Sequence, residues 1–275
     1  MANTCCTKNP SDNNSNNLDH KDAIQQRYGS AALEKESCLC TPVGFNPVLL
    51  EAIPQEVIER DYGCGDPTKY VQKNDIVLDL GSGSGKNAFI CSQIVGEEGK
   101  VIGIDQNSEM LSLSRSAAKY VSEKIGFNNT KFLKGSIERL DELDNNMNPL
   151  ISDKSVDIIL SNCVLNLVNP ESRNNLLTNI KRVLKDNGRI AISDIVSNKK
   201  VPLRLQNDHN LWTGCISGAW YEPDFLIDFQ NLGFKNLEFA QRSNEPWKVI
   251  EDIEFRTVTL AVSYTHLTLP TICSV

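Results

Sequence analysis

The chain has 275 residues, of which 40% are hydrophobic and 23% charged, so it has ample apolar material for a globular core. No stretch approaches the roughly 18–20 apolar residues of a membrane span, and the polar N-terminus does not resemble a secretory signal. A net charge of −7 argues against nucleic acid as the main partner. We therefore expect a soluble protein that binds neither membranes nor nucleic acids.

The N-terminal part of the chain changes character at about residue 20. Residues 1–20 are rich in asparagine and lack apolar periodicity, which predicts a disordered tail. A helical pattern follows over Asp22–Leu33, and a second short helical or turn segment runs from Pro47 to about Asp61.

Beyond residue 75, apolar β-branched runs alternate with longer helical patterns. The predicted strands are Ile76–Leu80, Lys100–Ile104, Thr130–Lys134, Val156–Ser161 and Arg189–Ile195. The predicted helices are Asn87–Val95, Glu109–Ile125 and Pro170–Leu184. This alternation is typical of an α/β fold, and it predicts a doubly wound, mostly parallel Rossmann-like sheet over 21–197.

The last third of the chain is less regular. We expect residues 198–262 to form an appended α+β region that contributes to substrate binding and ends in a strand over Arg256–Val262. Residues 263–275 resemble a translated sequencing adapter, so we expect a non-native tail and exclude His266 and Cys273 from the candidate site.

A glycine-rich motif follows the first predicted strand. A P-loop would need glycine at position 80 and serine or threonine at position 87, where the chain has Leu80 and Asn87. A dinucleotide fingerprint would need glycine at position 86, which is Lys86. The pattern that remains is typical of S-adenosylmethionine-dependent methyltransferases, and its members are Asp79, Gly81, Gly83 and Gly85.

The ends of the following strands extend this candidate cofactor site. Asp105 ends the second strand, where its carboxylate can accept both ribose hydroxyls of an adenosine, a feature shared by S-adenosylmethionine and NAD. Ser136 and Ile137 follow the third strand and are expected to hold the adenine. Asp79 is expected to face the positive methionine end, and Asn162, after the fourth strand, is a further cofactor-binding candidate.

The chain has nine cysteines, an odd number without a signal peptide, which favours thiol chemistry or soft-ligand binding over a disulfide framework. Cys5 and Cys6 lie in the expected tail, and Cys91 lies on the apolar face of a predicted helix, where core packing is expected. Three others lie in separate loops that should converge at the carboxyl ends of the strands: Cys64, Cys163 and Cys215.

The loops around these three cysteines carry a specific resemblance. They read Tyr-Gly-Cys-Gly over 62–65, Ser-Asn-Cys-Val-Leu-Asn-Leu over 161–167 and Gly-Cys-Ile-Ser-Gly-Ala over 214–219. These segments resemble the motifs of the arsenite methyltransferase family, and the resemblance covers most of residues 22–262. It implies that Cys64, Cys163 and Cys215 bind trivalent arsenic as a tris-thiolate and that S-adenosylmethionine donates the methyl group.

The same resemblance implies a fourth cysteine, upstream of Cys64, which takes part in a disulfide relay. Cys38 or Cys40 fills that place, and the sequence does not choose between them. A thiol reductant of the thioredoxin or glutathione type would then be a co-substrate, and the reducible thiols favour the cytoplasm. Family members usually continue beyond the point where this chain stops.

The chemistry of arsenic agrees with this interpretation. Arsenic(III) is a soft centre that suits thiolates, and three sulfurs leave its lone pair on the open side. In-line methyl transfer to that lone pair needs no general base, so orientation and desolvation would supply the catalysis. Neither histidine is then required: His20 is expected in the tail and His209 on the surface. The predicted function is methylation of arsenite, or of its thiol conjugate, by a monomeric detoxification enzyme.

Two other functions remain open from the residues. One alternative is a methyltransferase that acts on a small organic acceptor and whose cysteines only pack in the core. The other is a protein that binds arsenic without catalysis. A zinc site is disfavoured because the sequence has no Cys-x-x-Cys pair. Tyr28, Tyr62 and Trp220 are the aromatic residues nearest the motifs, and they either cover the ligands or pack in the core.

Overall fold

The computed structural model describes residues 20–33, 44–235 and 237–263. Residues 1–19 of the tail expected over 1–20, and residues 264–275 of the adapter-like segment expected over 263–275, lie outside these ranges. So do five cysteines and one histidine named above: Cys5, Cys6, Cys38, Cys40 and Cys273, with His266.

A nine-stranded sheet forms the centre of the fold. Its strands are β1 Ile76–Leu80, β2 Lys100–Asp105, β3 Thr130–Lys134, β4 Val156–Asn162, β5 Leu184–Ser197, β6 Trp220–Tyr221, β7 Phe239–Arg242, β8 Lys248–Ile250 and β9 Ile253–Ser263. All five strands predicted between residues 76 and 195 are present, and the largest difference is the earlier start of β5.

The strand order is β3-β2-β1-β4-β5-β9-β7, with β6 paired to β5 and β8 paired to β9. The strands from β3 to β5 are all parallel to their neighbours, whereas β9 is antiparallel to both β5 and β7. The chain proceeds from β1 outward to β3 and then returns to place β4 on the other side of β1. Parallel sheets with such a reversal bind ligands at the carboxyl ends of the two strands that flank it, which here are β1 and β4.

Nine α-helices accompany the sheet within the described residues. They are α1 His20–Leu33, α2 Pro47–Leu50, α3 Gln55–Glu59, α4 Lys86–Val95, α5 Ser108–Ile125, α6 Arg173–Val183, α7 Leu203–Gln206, α8 His209–Thr213 and α9 Glu222–Asn231. The predicted helix over Pro170–Leu184 is shorter than expected. Its first three residues form a 3₁₀ turn, and Leu184 belongs to β5.

The longest helix shows why these elements begin and end where they do. The side chain of Asn107 accepts a hydrogen bond from the backbone N–H of Met110, which caps the start of α5. Gly126 ends the helix in a left-handed conformation that glycine adopts without steric cost. Its buried side chains, including Leu111 and Val121, pack in the core on one face of the sheet.

Alternation along the strands divides the core between the two faces of the sheet. In β1, Leu78 and Leu80 point into one apolar cluster, whereas Val77 points into the other. A sheet covered on both faces is the arrangement expected for parallel strands. Among the described helices, none is both long and apolar enough to cross a membrane.

The appended region is continuous with the main sheet. Strand β9 pairs with β5 along nine residue pairs, from Arg189 opposite Ser263 to Ser197 opposite Phe255. The expected boundary at residue 197 therefore falls at the end of a shared strand and does not separate two sheets. Residues beyond it complete the sheet and bring their loops next to the carboxyl end of β4.

Candidate functional site

Two adjoining cavities lie at the carboxyl ends of β1 and β4. The larger holds about 1040 Å³ of empty space, part of it open to solvent, and the smaller holds about 260 Å³. Tyr28, Tyr62 and Cys163 line both cavities and so form their common wall. A ligand in one cavity is thus separated from a ligand in the other cavity by only these three side chains.

Gly81 and Gly83 of the glycine motif line the larger cavity, whereas Gly85 does not line it and precedes α4. Gly81, Gly83 and Gly85 all have positive φ, at 68°, 51° and 94°. A Cβ at Gly81 would lie 2.4 Å from Cγ1 of Val164, the residue after Cys163. This position requires glycine because of both its φ and the close approach of the β4 loop.

Asp105 closes the glycine loop from the tip of β2. Its Oδ2 accepts a hydrogen bond from the N–H of Gly83 at 2.8 Å, and its Oδ1 accepts one from the N–H of Asn107 at 2.8 Å. Burial raises the pKa of this carboxyl, and the backbone hydrogen bonds oppose that rise. The carboxylate lines the larger cavity, so it is placed to accept further hydrogen bonds from a ligand.

Asp79 lies beneath the loop and is almost completely buried. Its pKa is raised well above the usual range by burial and then by the nearby charges of Asp61 and Asp105. Its Oδ2 has no hydrogen-bond partner among the described residues. The same holds for three other buried polar atoms near the cavity, the oxygens Ser82 Oγ, Asn87 Oδ1 and Ser136 Oγ. Unsatisfied acceptors and crowded carboxyls fit a polar, positively charged ligand such as S-adenosylmethionine.

The remaining cofactor candidates occupy different positions. Ile137 lines the larger cavity, as an apolar wall for adenine requires, whereas Ser136 does not line it and its hydroxyl is buried. Asn162 also lines the cavity, but its Oδ1 accepts from the N–H of Cys64 at 2.8 Å and of Gly65 at 3.2 Å. Its Nδ2 donates to the carbonyl of Gly65 at 2.9 Å. The amide of Asn162 therefore holds the Cys64 loop, a role not foreseen from the sequence.

Helix α1 covers the larger cavity from the outside. Asn107 Nδ2 donates to the carbonyl of Gln25 at 3.2 Å, and the Tyr62 hydroxyl donates to the carbonyl of Ala31 at 2.9 Å. Arg27 Nη1 donates to Thr213 Oγ1 at 2.8 Å, which ties the same helix to the loop of Cys215. One helix thus bridges both parts of the site.

The structure places His20 and Trp220 differently from what the sequence suggested. His20 was expected in a disordered tail, but it begins α1, lines the larger cavity and stacks on Trp212 with ring centroids 4.3 Å apart. The partly buried His209 packs edge-on against His20. Trp220 lines neither cavity and packs in the core beneath the guanidinium of Arg173. Tyr28 and Tyr62 are therefore the predicted aromatic residues that line the site.

The three loop cysteines meet in the smaller cavity. Cys64 and Cys163 are joined by a disulfide, with their Cα atoms 5.9 Å apart. Cys215 is a free thiol whose Sγ donates to the carbonyl of Cys163 at 3.0 Å. The convergence expected from the loops is present, but two of the three sulfurs are oxidised, so a tris-thiolate requires reduction of this disulfide. Cys91 is buried in the core, away from both cavities.

Two of these cysteines have an unusual backbone conformation. Cys163 and Cys215 both have φ of +59°, in the left-handed region that side chains with a Cβ rarely adopt. Such conformations cost about 1–3 kcal/mol each and cluster at functional sites, where surrounding contacts hold them.

Asn166 and Asp194 hold the two strained cysteine loops together. Asn166 Nδ2 lies 2.7 Å from Asp194 Oδ1, 2.7 Å from the carbonyl of Ile195 and 3.3 Å from the carbonyl of Cys215. The carboxylate of Asp194 also accepts from the N–H groups of Leu165 at 3.0 Å and Ile195 at 2.8 Å. Burial raises the pKa of Asp194 to about 7, against the effect of these bonds and of Arg173. The signal in the sequence was Asp194, a carboxyl within the apolar fifth strand, with Asn166 in the loop that follows β4.

Tyr28 connects the common wall to the free thiol. Its hydroxyl lies 3.8 Å from the Sγ of Cys215 and donates to the carbonyl of Thr213 at 3.3 Å. The pKa of Cys215 is raised to about 12 by burial and by the charge of Asp194, while the bond from Tyr28 lowers it. The thiol is therefore protonated at neutral pH until a ligand displaces its proton.

Comparison with known proteins agrees with this geometry. The model of a methyltransferase domain family matches residues 71–226. An arsenite methyltransferase of Mus musculus is 36% identical over 225 residues, which cover 78% of this chain and 57% of the mouse protein. That of Homo sapiens is 34% identical over 265 residues, which cover 90% of this chain and 68% of the human one. The chain thus spans little more than half of the mouse protein.

A solved structure is similar over the same region. The crystal structure of an arsenic(III) S-adenosylmethionine methyltransferase from Chlamydomonas reinhardtii has a TM-score of 0.70 and 28% identity. The match covers 84% of this chain and 76% of the algal one.

Proposed function

The chain belongs to the arsenite methyltransferase family, and on this basis we propose that it transfers the methyl group of S-adenosylmethionine to trivalent arsenic held by Cys64, Cys163 and Cys215. The observation that carries the proposal is the common wall of the two cavities. Cys163 lines both the glycine-loop cavity and the cavity that contains the other two sulfurs. Cofactor and arsenic would therefore lie on either side of the wall formed by Tyr28, Tyr62 and Cys163.

The larger cavity has the groups that the cofactor needs. Asp105 would accept the ribose hydroxyls and Ile137 would contact the adenine, both from the cavity wall. Asp79 does not line the cavity and would face the positive amino-acid end from its buried position beneath the glycine loop. When bound, S-adenosylmethionine supplies an electrophilic methyl group, which bonds to the arsenic lone pair as its bond to the sulfonium sulfur breaks. Since the lone pair carries no proton, the residues of this chain need not supply a general base. They contribute orientation and exclusion of water.

The smaller cavity would bind arsenite only after reduction. Two electrons from a thiol reductant, of the thioredoxin or glutathione type, open the Cys64–Cys163 disulfide and yield two thiols. Arsenous acid then exchanges three As–O bonds for three As–S bonds, and three water molecules leave. The need for reduced thiols favours a cytoplasmic location. Because a single chain lines both cavities, we propose a monomer as the active unit.

Incubation of the reduced protein with arsenite and S-adenosylmethionine, followed by separation of the arsenic species, tests the proposal. We expect methylated arsenic from the unmodified protein and at least about a hundredfold lower rate from Cys215→Ala, with cofactor binding retained. Cys91→Ala is the matched control, because this buried thiol lies in the core and should leave the rate unchanged. Undiminished arsenic methylation by Cys215→Ala, or turnover with an organic acceptor alone, would contradict the proposal.

A further inference from the structure

The backbone of Cys215 is strained, so neighbouring groups must hold it in place. Its φ of +59° lies in the left-handed region, and such a conformation persists only where surrounding contacts fix it. The buried Asn166 supplies one such contact through the carbonyl of Cys215. A second set of contacts comes from α1, whose neighbouring residues Arg27 and Tyr28 both bind Thr213 in the same segment.

Arg27 contacts three residues of the segment that leads into Cys215. Its Nη1 donates to the Oγ1 of the buried Thr213 at 2.8 Å and to the carbonyl of Asn210 at 3.1 Å. The same nitrogen lies 3.7 Å from the position that a Cβ on Gly214 would occupy. The guanidinium therefore lies against the end of α8 and against the residue that directly precedes Cys215.

The end of α8 determines where Cys215 lies. The N–H of Cys215 donates to the carbonyl of Trp212, in the last turn of this helix, at 3.0 Å. The last carbonyls of a helix carry partial negative charge and lack partners within the helix, so a nearby cation stabilises them. A guanidinium that fixes the end of α8 thus also fixes the cysteine that is bonded to it.

Helix α1 can hold this segment because it is itself anchored to the rest of the site. The side chain of Asn107 donates to the carbonyl of Gln25 at 3.2 Å, and the hydroxyl of Tyr62 donates to the carbonyl of Ala31 at 2.9 Å. Arg27 lies between these two attachments and lines neither cavity. Its contribution is therefore to the third thiol and not to the lining around a ligand.

We propose that Arg27 is a positioning residue that holds Cys215 where it can become the third ligand of arsenic. The inference rests on the proposed function, in which Cys64, Cys163 and Cys215 all bind arsenic. Without the guanidinium, the segment before Cys215 loses two hydrogen bonds, and arsenous acid binds to Cys64 and Cys163 alone. Two As–O bonds are then exchanged for two As–S bonds, two water molecules leave, and one hydroxyl stays on arsenic.

The test uses Arg27→Met, which keeps a long side chain but removes its charge and its donors, after reduction with a phosphine that adds no competing thiol. X-ray absorption at the arsenic edge counts the As–S bonds at saturating arsenite. We expect three in the unmodified protein, but two As–S bonds and one As–O bond in Arg27→Met. Arsenite affinity should fall at least about tenfold, because hydrogen bonds from a charged donor are among the stronger ones.

Three further variants separate this role from a general effect on the fold. Arg27→Lys keeps the charge and should restore the third As–S bond. Gln26→Ala is the matched control, since Gln26 is the exposed neighbour on α1 and lines neither cavity, and it should leave the three As–S bonds unchanged. Thr213→Val removes one acceptor of Arg27 and should lower arsenite affinity by a smaller factor.

Three As–S bonds in a folded Arg27→Met overturn the inference, whether or not arsenic is methylated. If Arg27→Met does not fold, Thr213→Val decides, and an unchanged arsenite affinity in that variant overturns the inference. A drop from three As–S bonds to two in a protein that methylates no arsenic upholds the role of Arg27 and overturns the proposed function instead. Fewer than three As–S bonds in the unmodified protein overturn both.

Discussion

The two cavities are built in different ways. The cofactor cavity is centred on one stretch of chain, in which β1, the glycine loop and the tip of β2 follow each other within about thirty residues, and α1 and the loops after β3 and β4 complete its lining. The thiol cavity is assembled from four separate loops, and its disulfide joins cysteines 99 residues apart. A site made by consecutive elements depends on local geometry, whereas a site made by distant loops depends on the bonds that fix those loops.

Gly81 offers the strongest test of this comparison, because it lines the cofactor cavity and closely approaches Val164, the residue after Cys163 of the thiol cavity. In Gly81→Ala, the new Cβ would meet Val164 while the backbone stays at a φ of 68°. We expect the free energy of unfolding to fall by roughly 3 kcal/mol, from backbone strain and overpacking together. Denaturant unfolding measures this loss, and binding assays should show weaker binding of both S-adenosylmethionine and arsenite.

Gly83→Ala is the control for this experiment. Gly83 also has a positive φ, but no other atom lies within 4 Å of the position of its Cβ. Only the backbone strain remains in this variant, so the free energy of unfolding should fall by about 1–2 kcal/mol. Unaltered arsenite binding in Gly81→Ala would mean that the two cavities are independent.

Asn166→Ala tests whether the thiol cavity depends on the hydrogen bonds that fix its loops. It removes the amide that links Asp194 and Ile195 to the carbonyl of Cys215. We expect arsenite affinity to fall at least about tenfold, since the third thiol is no longer held against the other two, while cofactor affinity stays within about twofold. Titration calorimetry with each ligand measures both.

Asn129→Ala is the control that separates the local effect of Asn166 on the thiols from a general loss of stability. The amide of Asn129 donates to the carbonyls of Ser92 at 3.2 Å and Gly96 at 2.8 Å, outside both cavities. This variant should lose comparable stability and keep its arsenite affinity. Equal losses of arsenite affinity in the two variants would show that Asn166 acts only through stability.

The smallest expected effect is a pH dependence of stability that arises from Asp194. Its folded pKa of about 7 lies above the ordinary aspartate pKa of 3.8, so between these pH values the folded protein holds a proton that the unfolded chain has released. Stability from this group is therefore lost as pH rises from about 4 to 7. Asp194→Asn lacks this dependence but loses hydrogen-bond acceptors.

The reduced, arsenic-free protein and the Asp194→Asn variant are therefore compared by denaturant unfolding at several pH values. The stability advantage of the unmodified protein should narrow by about 1 kcal/mol between pH 5 and pH 6, since one pKa unit corresponds to about 1.4 kcal/mol. A constant difference across this range would show that Asp194 ionises normally in the folded state.

The contrast between the two cavities also explains which parts of the fold and of the site could be predicted from the sequence. The strands of the parallel sheet, the glycine loop and Asp105 follow from local patterns, because each depends on residues close to it in the chain. The cysteines were identifiable by type and loop position. Asn162 and Asn166 act through partners from 28 to 98 residues away, which only the folded chain brings next to them.

The appended region shows a related limit. A strand over Arg256–Val262 was expected, and β9 contains it. Its antiparallel pairing with β5 is set by the position of β5 at the edge of the parallel sheet, not by any feature of its own residues. Local patterns indicated the strand but not its partner.

The left-handed backbone at Cys163 and Cys215 has a consequence for how this site tolerates change. Glycine is the residue that such positions accept without strain. Replacing either cysteine by glycine would relieve the backbone and at the same time remove a sulfur from the cavity. Cysteine at these two positions therefore carries a backbone cost that glycine would not carry. That cost points to a role of both residues in chemistry and not in the architecture of the fold.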